Sequence, residues 1–263
     1  YTANEKKRFY KYPWLLKLLR WFLYMRLELI TFPVIKKNSF SGKRAAKSIV
    51  KYMKSSIKNN VLRDFFEPNY SLGCKRILLS DYLFQAINRT NVTVVTDEIR
   101  SFDRNGIITS NSTNHNIDVV IMATGFDIEG HMHSIDVRGL NNISLSELWE
   151  DSAKAYKGSC ISGFPNFYMV TGPNTGAGTI SLVHIIEQEV NFIVRLIMKA
   201  GKNSTIEVKD ESLRKYNNLI QQKLKNTVWA SGCSSWYLDK NGNNITLYPE
   251  HGRSFKKQLS NIN

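Results

Sequence analysis

The sequence has no C-x-x-C pair, and its three cysteines (Cys74, Cys160 and Cys233) are odd in number and stand far apart. Zinc ribbons and disulfide-stapled small folds need paired cysteines at short spacing, so both are excluded, and a reducing, cytoplasmic setting is expected. Proline is scarce, at 6 of 263 residues, and hydrophobic residues make up 42% against 22% charged, which excludes disordered and collagen-like chains. A long uncharged apolar run is also missing. The most apolar stretch, residues 13–32, carries Lys17, Arg20, Arg26 and Glu28, which argues against a membrane span. The five histidines (His115, His131, His133, His184 and His251) have no consistent Ser-His-Asp or Cys-His ordering. His184 and Glu187, three apart on one helix, lack a third ligand, so no metal is expected. No G-x-G-x-x-G fingerprint occurs. The first residue is Tyr and no secretory pattern follows it, which reads as a processed chain or a piece of something longer.

Acidic residues are nearly missing from the first 63 positions. That segment holds 16 Lys and Arg against Glu5 and Glu28, whereas the other 200 residues hold 20 bases and 20 acids. The basicity therefore belongs to one segment, and nucleic acid, an anionic membrane surface or an acidic cofactor would each answer it. No nucleic-acid recognition motif accompanies the charge, so no nucleic acid is expected. Residues 13–32 read as a helix packed on the rest of the protein or lying on a membrane surface. Residues 36–63 place Ala46, Ile49, Val50, Met53 and Ile57 at helical spacing beneath a basic face.

The middle of the chain reads as α/β with a meander. Residues 75–80 and 91–96 are strand candidates. Residues 99–102 and 106–109 alternate around Asp103-Arg104-Asn105-Gly106, a turn signature. The near-continuous apolar run 117–123 reads as a strand buried on both faces of a parallel sheet, ending at Thr124-Gly125. A second such strand, residues 167–171, runs into a loop from Gly172 to Gly178. A helix over 180–200 follows, apolar nearly all round and therefore expected to be buried, with Gly201 as its stop. Glu187 is expected as a buried carboxylate with a hydrogen-bonded partner. A strand, glycine-rich loop and helix start can offer backbone N–H groups to an anion, although Gly176-x-Gly178-x-x-Ser181 matches the fingerprint only in part. Near the end, Trp229, Trp236 and Tyr237 sit in an irregular stretch in which Asn241-Gly242 marks a turn; a packed aromatic cluster and a binding loop are both open readings.

In order along the chain stand Gly73-Cys74-Lys75-Arg76, Ala123-Thr124-Gly125-Phe126-Asp127, Gly163-Phe164-Pro165-Asn166 running to Gly172-Pro173-Asn174, Ile186-Glu187-Gln188, and Ser235-Trp236-Tyr237. Together they resemble the C-terminal half of class B flavin monooxygenases, closest to the Baeyer–Villiger type, over nearly the whole chain. The resemblance implies a Rossmann-like flavoprotein with two dinucleotide-binding domains, for FAD and NADPH, preceded here by a helical N-terminal segment. It implies oxygenation of a ketone or a soft heteroatom by O₂ through a C4a-peroxyflavin. It makes Arg76 the catalytic cation that stabilises negative charge beside the flavin. Lys75 would contact the NADP phosphate or ribose, Trp236 the nicotinamide-side ribose, and Leu182 the flavin ring, with Gly125 and Gly172 at the cofactors.

On this reading residues 1–70 form a basic helical segment and 71–135 the strands and meander ending in Ala-Thr-Gly. Residues 136–201 form the FAD-domain strand, loop and helix, and 202–263 the C-terminal aromatic segment. The absent fingerprints imply that a missing N-terminal half carries the pyrophosphate sites. The alternatives are an inactive fragment or degenerate copy, or a basic protein of membrane surfaces acting through residues 1–63.

Overall fold

The computed structural model describes residues 1–125 and 135–261. Phe126 and Asp127 of the Ala-Thr-Gly motif, with His131 and His133, lie outside the described residues. The chain divides into two compact units, one made of Tyr1–Ala46, Tyr70–Ile77 and Met132–Asn263, the other of Lys47–Asn69 and Leu78–His131.

The first unit is helical. Thr2 caps α1 (Ala3–Lys11) through a capping box with Glu5, and Pro13 opens α2 (Pro13–Ile35) at a position where its missing N–H costs nothing. The C-terminal part of α2 is packed: Glu28, Phe32 and Ile35 are buried, whereas Trp14, Leu18, Trp21 and Phe22 are exposed. Three more helices complete the core, α7 (Leu182–Ala200), α8 (Asp210–Leu224) and α9 (Gly252–Ser260). Their buried rows, Ile185, Phe192 and Leu196 on α7, Tyr216, Ile220 and Leu224 on α8, Phe255 and Leu259 on α9, recur every four or seven positions and meet Trp229 and Tyr248. Burying each such side chain stabilises by about 1.5–3 kcal/mol. A smaller core gathers Trp149, Ile161 and Phe164 on Leu145 of the short α6 (Leu145–Leu148). Gly201, at φ +71, ends α7 as expected.

The expectation that α7 is buried all round is corrected. Only Ile185, Glu189, Phe192 and Leu196 are buried, and Val183, Val194, Ile197 and Met198 face outward among the exposed apolar residues. Glu187 is also corrected: it is half-exposed and pairs with Arg20 of α2, and the buried carboxylate of this helix is Glu189.

The second unit takes most of α3 (Phe40–Ser56), then α4 (Asn60–Phe66) and α5 (Leu83–Ile87), with an antiparallel meander of β1 (Ile99–Phe102), β2 (Gly106–Thr109) and β3 (Asn114–Asn116). The Asp103 carboxylate accepts the N–H groups of Asn105 and Gly106 at 2.8 Å each, which forms the turn from its own sequence. A Cβ at Gly106 would lie 2.0 Å from the His115 carbonyl oxygen, so the pairing of β2 with β3 admits only glycine there. Met53 and Ile57 are the only buried large hydrophobics of this unit among the described residues.

The strands expected at 75–80, 91–96, 117–123 and 167–171 form no ladder among the described residues. A strand exists by a paired strand beside it, and these segments pair with no strand among the described residues. Leu78, Leu79, Val119, Ile121 and Met122 are exposed in consequence.

Candidate functional site

The first unit brings three of the expected motifs together around Trp229. The loop before α7 is fixed from one side: Asn174 is buried, its N–H donates to the Ile245 carbonyl at 2.7 Å, and its side-chain amide donates to the Asn244 carbonyl at 2.7 Å. The Gly176 N–H donates to the Thr246 carbonyl at 2.7 Å. The amides of Asn174 and Gly176 are therefore spent on the chain itself and are not offered to an anion. At Gly178 a Cβ would come within 2.4 Å of the Trp229 ring, so glycine there allows the indole to lie on the loop. On the other side the Trp229 Nε1–H donates to the Gly73 carbonyl at 3.0 Å. Gly73 itself, at φ +87, makes the bend that leads into Cys74-Lys75-Arg76.

Cys74 is disulfide-bonded to Cys233, with Cα atoms 6.4 Å apart, a separation a disulfide spans. This pairing corrects the expectation of unlinked cysteines: 159 positions of sequence separate the two, and only the fold brings them together. It ties the segment carrying Lys75 and Arg76 to the aromatic segment. Trp236 and Tyr237 follow three and four residues later, their ring centroids 4.4 Å apart. Tyr237 is buried, while Trp236 remains 45% exposed. Burial pushes the Tyr237 hydroxyl up from its ordinary value, and the positive charge of Arg76 acts against that shift.

Arg76 and Lys75 are exposed. Arg76 makes no ion pair among the described residues, and the Lys75 ammonium lies 4.8 Å from the Tyr70 ring centroid. Leu182 opens α7 and is 45% exposed; the N-cap, Ser181, makes no side-chain capping bond, so the positive end of this 19-residue helix is left open. Gly172 has a packing explanation, since a Cβ would meet the Gly158 carbonyl oxygen at 2.2 Å. Gly125, at φ +94, belongs to the second unit.

Sequence reasoning missed Glu189. Its carboxylate is fully buried and accepts the Thr171 N–H at 3.0 Å, bracing the start of the glycine-rich loop where Thr171 holds φ +59. Burial raises this carboxyl to about 7, and the Thr171 bond opposes the rise. An acid among the apolar residues of α7 was the available signal.

An exposed, unpaired guanidinium, an exposed indole and an open helix start fit the anion-facing side of a dinucleotide site. The described residues contain no group of His, Cys, Asp and Glu placed to hold a metal ion.

No protein-family model matches the chain. A solved structure of OTEMO in complex with FAD and NADP superposes with a TM-score of 0.76, at 23% identity, over 86% of this chain and 43% of that one. The fold is thus part of the α/β architecture of flavin monooxygenases. A Baeyer–Villiger monooxygenase of Pseudomonas aeruginosa is 35% identical over 254 residues, 94% of this chain and 48% of the relative. Another, of Streptomyces coelicolor, is 32% identical over 214 residues, 80% of this chain and 41% of the relative. The chain is thus similar over most of its length to Baeyer–Villiger monooxygenases, and it spans about half the length of these curated relatives.

Proposed function

We propose that this chain supplies the arginine-bearing, aromatic side of the active site of an FAD- and NADPH-dependent monooxygenase that oxidises a ketone or a soft heteroatom. The observation that carries the reading is Arg76. It is exposed and free of any ion pair among the described residues, and the Cys74–Cys233 link holds its segment against the aromatic stretch that also touches the loop before α7. When bound, the flavin and nicotinamide supply the hydride and oxygen chemistry. Arg76 then presents a fixed cation, as a planar guanidinium, to negative charge developing beside it. Lys75 contacts phosphate or ribose, Trp236 covers the nicotinamide-side ribose, and Leu182 presents an apolar surface to the flavin ring. Gly125 and Gly172 are assigned to the cofactor site by their motifs alone. The pyrophosphate-gripping fingerprints come from the part of the relatives that this chain does not span.

The test joins this chain to the part of the Pseudomonas aeruginosa relative that it does not span. The fusion is expected to purify yellow and to oxidise NADPH in a substrate-dependent way. Arg76→Ala is expected to retain flavin while oxygenated product falls at least a hundredfold. A colourless fusion, or unchanged product formation by the variant, contradicts the reading.

A second reading concerns α2, where an exposed row of Trp14, Leu18, Trp21 and Phe22 stands within the basic segment. No helix among the described residues is long and apolar enough to cross a membrane. We assign this row to contact with an anionic membrane surface, by apolar insertion and charge attraction. Salt-sensitive flotation with phosphatidylserine vesicles supports that contact, and no flotation at low salt contradicts it.

A further inference from the structure

A cavity of about 450 Å³ lies in the first unit, between the Tyr156–Cys160 turn and α7, in residues apart from those around Trp229 and Arg76. Its size is in the range of small-molecule sites. Phe164, Phe167, Phe192 and Leu196 form its apolar walls, and Lys199, Thr205, Glu207, Lys209 and Ser212 line it as well. Two polar groups stand out against the apolar walls. The first is the Lys157 ammonium. The residue is 6% exposed, and its only hydrogen bond among the described residues goes to the Asn261 carbonyl, at 2.6 Å. Its charge lies 5.0 Å from the Tyr156 ring centroid and 5.3 Å from that of Phe192. The second is the Tyr168 hydroxyl, which is buried and without a hydrogen-bond partner.

Burial of a lysine without a carboxylate is costly, and it depresses the ammonium here from its ordinary value. The acid at the cavity, Glu207, is committed elsewhere: its carboxylate accepts the Gly163 N–H at 2.7 Å. The backbone compounds the cost. Lys157 and Gly158 occupy the centre of a tight turn closed by Tyr156 and Ser159, at φ +54 and +73. Such turns favour Asn or Gly at the first central position, and a lysine is strained there. The turn therefore carries a residue that suits neither its conformation nor its burial, and the result is a cation held against apolar walls.

We propose that this cavity binds an amphipathic carboxylate, with its carboxylate on the Lys157 ammonium and the Tyr168 hydroxyl and its hydrocarbon part against Phe164, Phe167, Phe192 and Leu196. The ammonium retains N–H donors beyond the one spent on Asn261, and the ligand supplies the missing anion. The phenylalanines reward an apolar body and exclude water from the ion pair.

The test uses decanoate and decanol as probes on the full chain, by isothermal titration calorimetry. Decanoate is expected to bind one per chain and at least tenfold more tightly than decanol. Lys157→Met is expected to bring the two probes within twofold of each other, with circular dichroism confirming its fold. Equal affinity of the native chain for both probes, no binding of either, or a preference for decanoate that survives Lys157→Met overturns the proposal. A second measurement needs no variant. Cys160, the free cysteine among the described residues, lines the same cavity. Decanoate is expected to slow its labelling by N-ethylmaleimide at least fivefold, with decanol at the same concentration far less effective. Labelling unaffected by decanoate contradicts the assignment.

Discussion

At the scale of the residue, a buried acid and a crowded glycine shape the glycine-rich loop. Glu189 holds the Thr171 N–H from inside the core, and burial lifts its carboxyl from the ordinary 4.5 to about 7. A carboxyl whose value is higher in the folded chain than in the unfolded chain favours folding in its protonated form. That contribution is complete below about pH 4.5 and is lost as the pH rises to about 7. Glu189→Gln keeps an acceptor for Thr171 without the charge. The variant is expected to lack this decline and to gain on the order of 3 kcal/mol over the native chain between pH 5 and pH 8. Urea unfolding at both pH values measures it, and parallel pH slopes would count against the assignment. Gly178 and Trp229 form the other pair. Gly178→Ala is expected to cost about 1–3 kcal/mol by forcing the indole aside. In a Trp229→Phe background, where the atoms nearest that Cβ are gone, the same change should cost much less. A double-mutant cycle on urea midpoints checks this, and additive effects would mean that the two residues do not meet.

At the scale of the element, local chemistry made some features legible and distant partners hid others. The meander could be read because Asp103, Asn105 and Gly106 form their turn within four residues, and the end of α7 because Gly201 is its own signal. The segment 117–123 reads as a buried strand by composition, yet its ladder partner is not among the described residues, so the apolar run is left open to solvent. Burial on α7 was hidden for a related reason: nearly every position is apolar, and the face that packs is chosen by α9, α8 and the 229–248 segment. Of the candidate site, Lys75, Arg76 and Trp236 were legible through motif order. Glu189 was not, because its role depends on Thr171. The Cys74–Cys233 link was hidden by sequence distance, and it joins a strand candidate to an irregular segment that has little other regular structure to hold it. Cys233→Ser is expected to lower stability by about 2–4 kcal/mol under oxidising conditions and to have little effect in dithiothreitol. Equal unfolding midpoints for the native chain and the variant without reductant would show that the thiols are not bonded in solution.

At the scale of the whole molecule, burial is shared unequally. The first unit holds two hydrophobic cores, whereas the second buries only Met53 and Ile57 among its large described hydrophobics. Apolar area removed from water is the main favourable contribution to folding, so the second unit has little to offset the entropy of ordering its chain. Local opening free energies follow the same inequality. Amides of residues 78–125 are expected to exchange with solvent deuterium within seconds to minutes, while those of α7 and α8 remain protected for at least a hundred times longer. Mass spectrometry of peptic fragments resolves the two regions. The apolar residues Val119, Ile121 and Met122 make the comparison informative. In the fusion with the part of the Pseudomonas aeruginosa relative that this chain does not span, strands supplied by that part would cover residues 117–123 and complete the ladder. Protection there should then rise at least tenfold, with little change in α8. If residues 117–123 exchange as slowly as α7 in the chain alone, the segment already has a partner within it. If they exchange equally fast in the yellow fusion, the cofactor site is assembled without that strand, and the parallel-sheet reading of the segment is wrong.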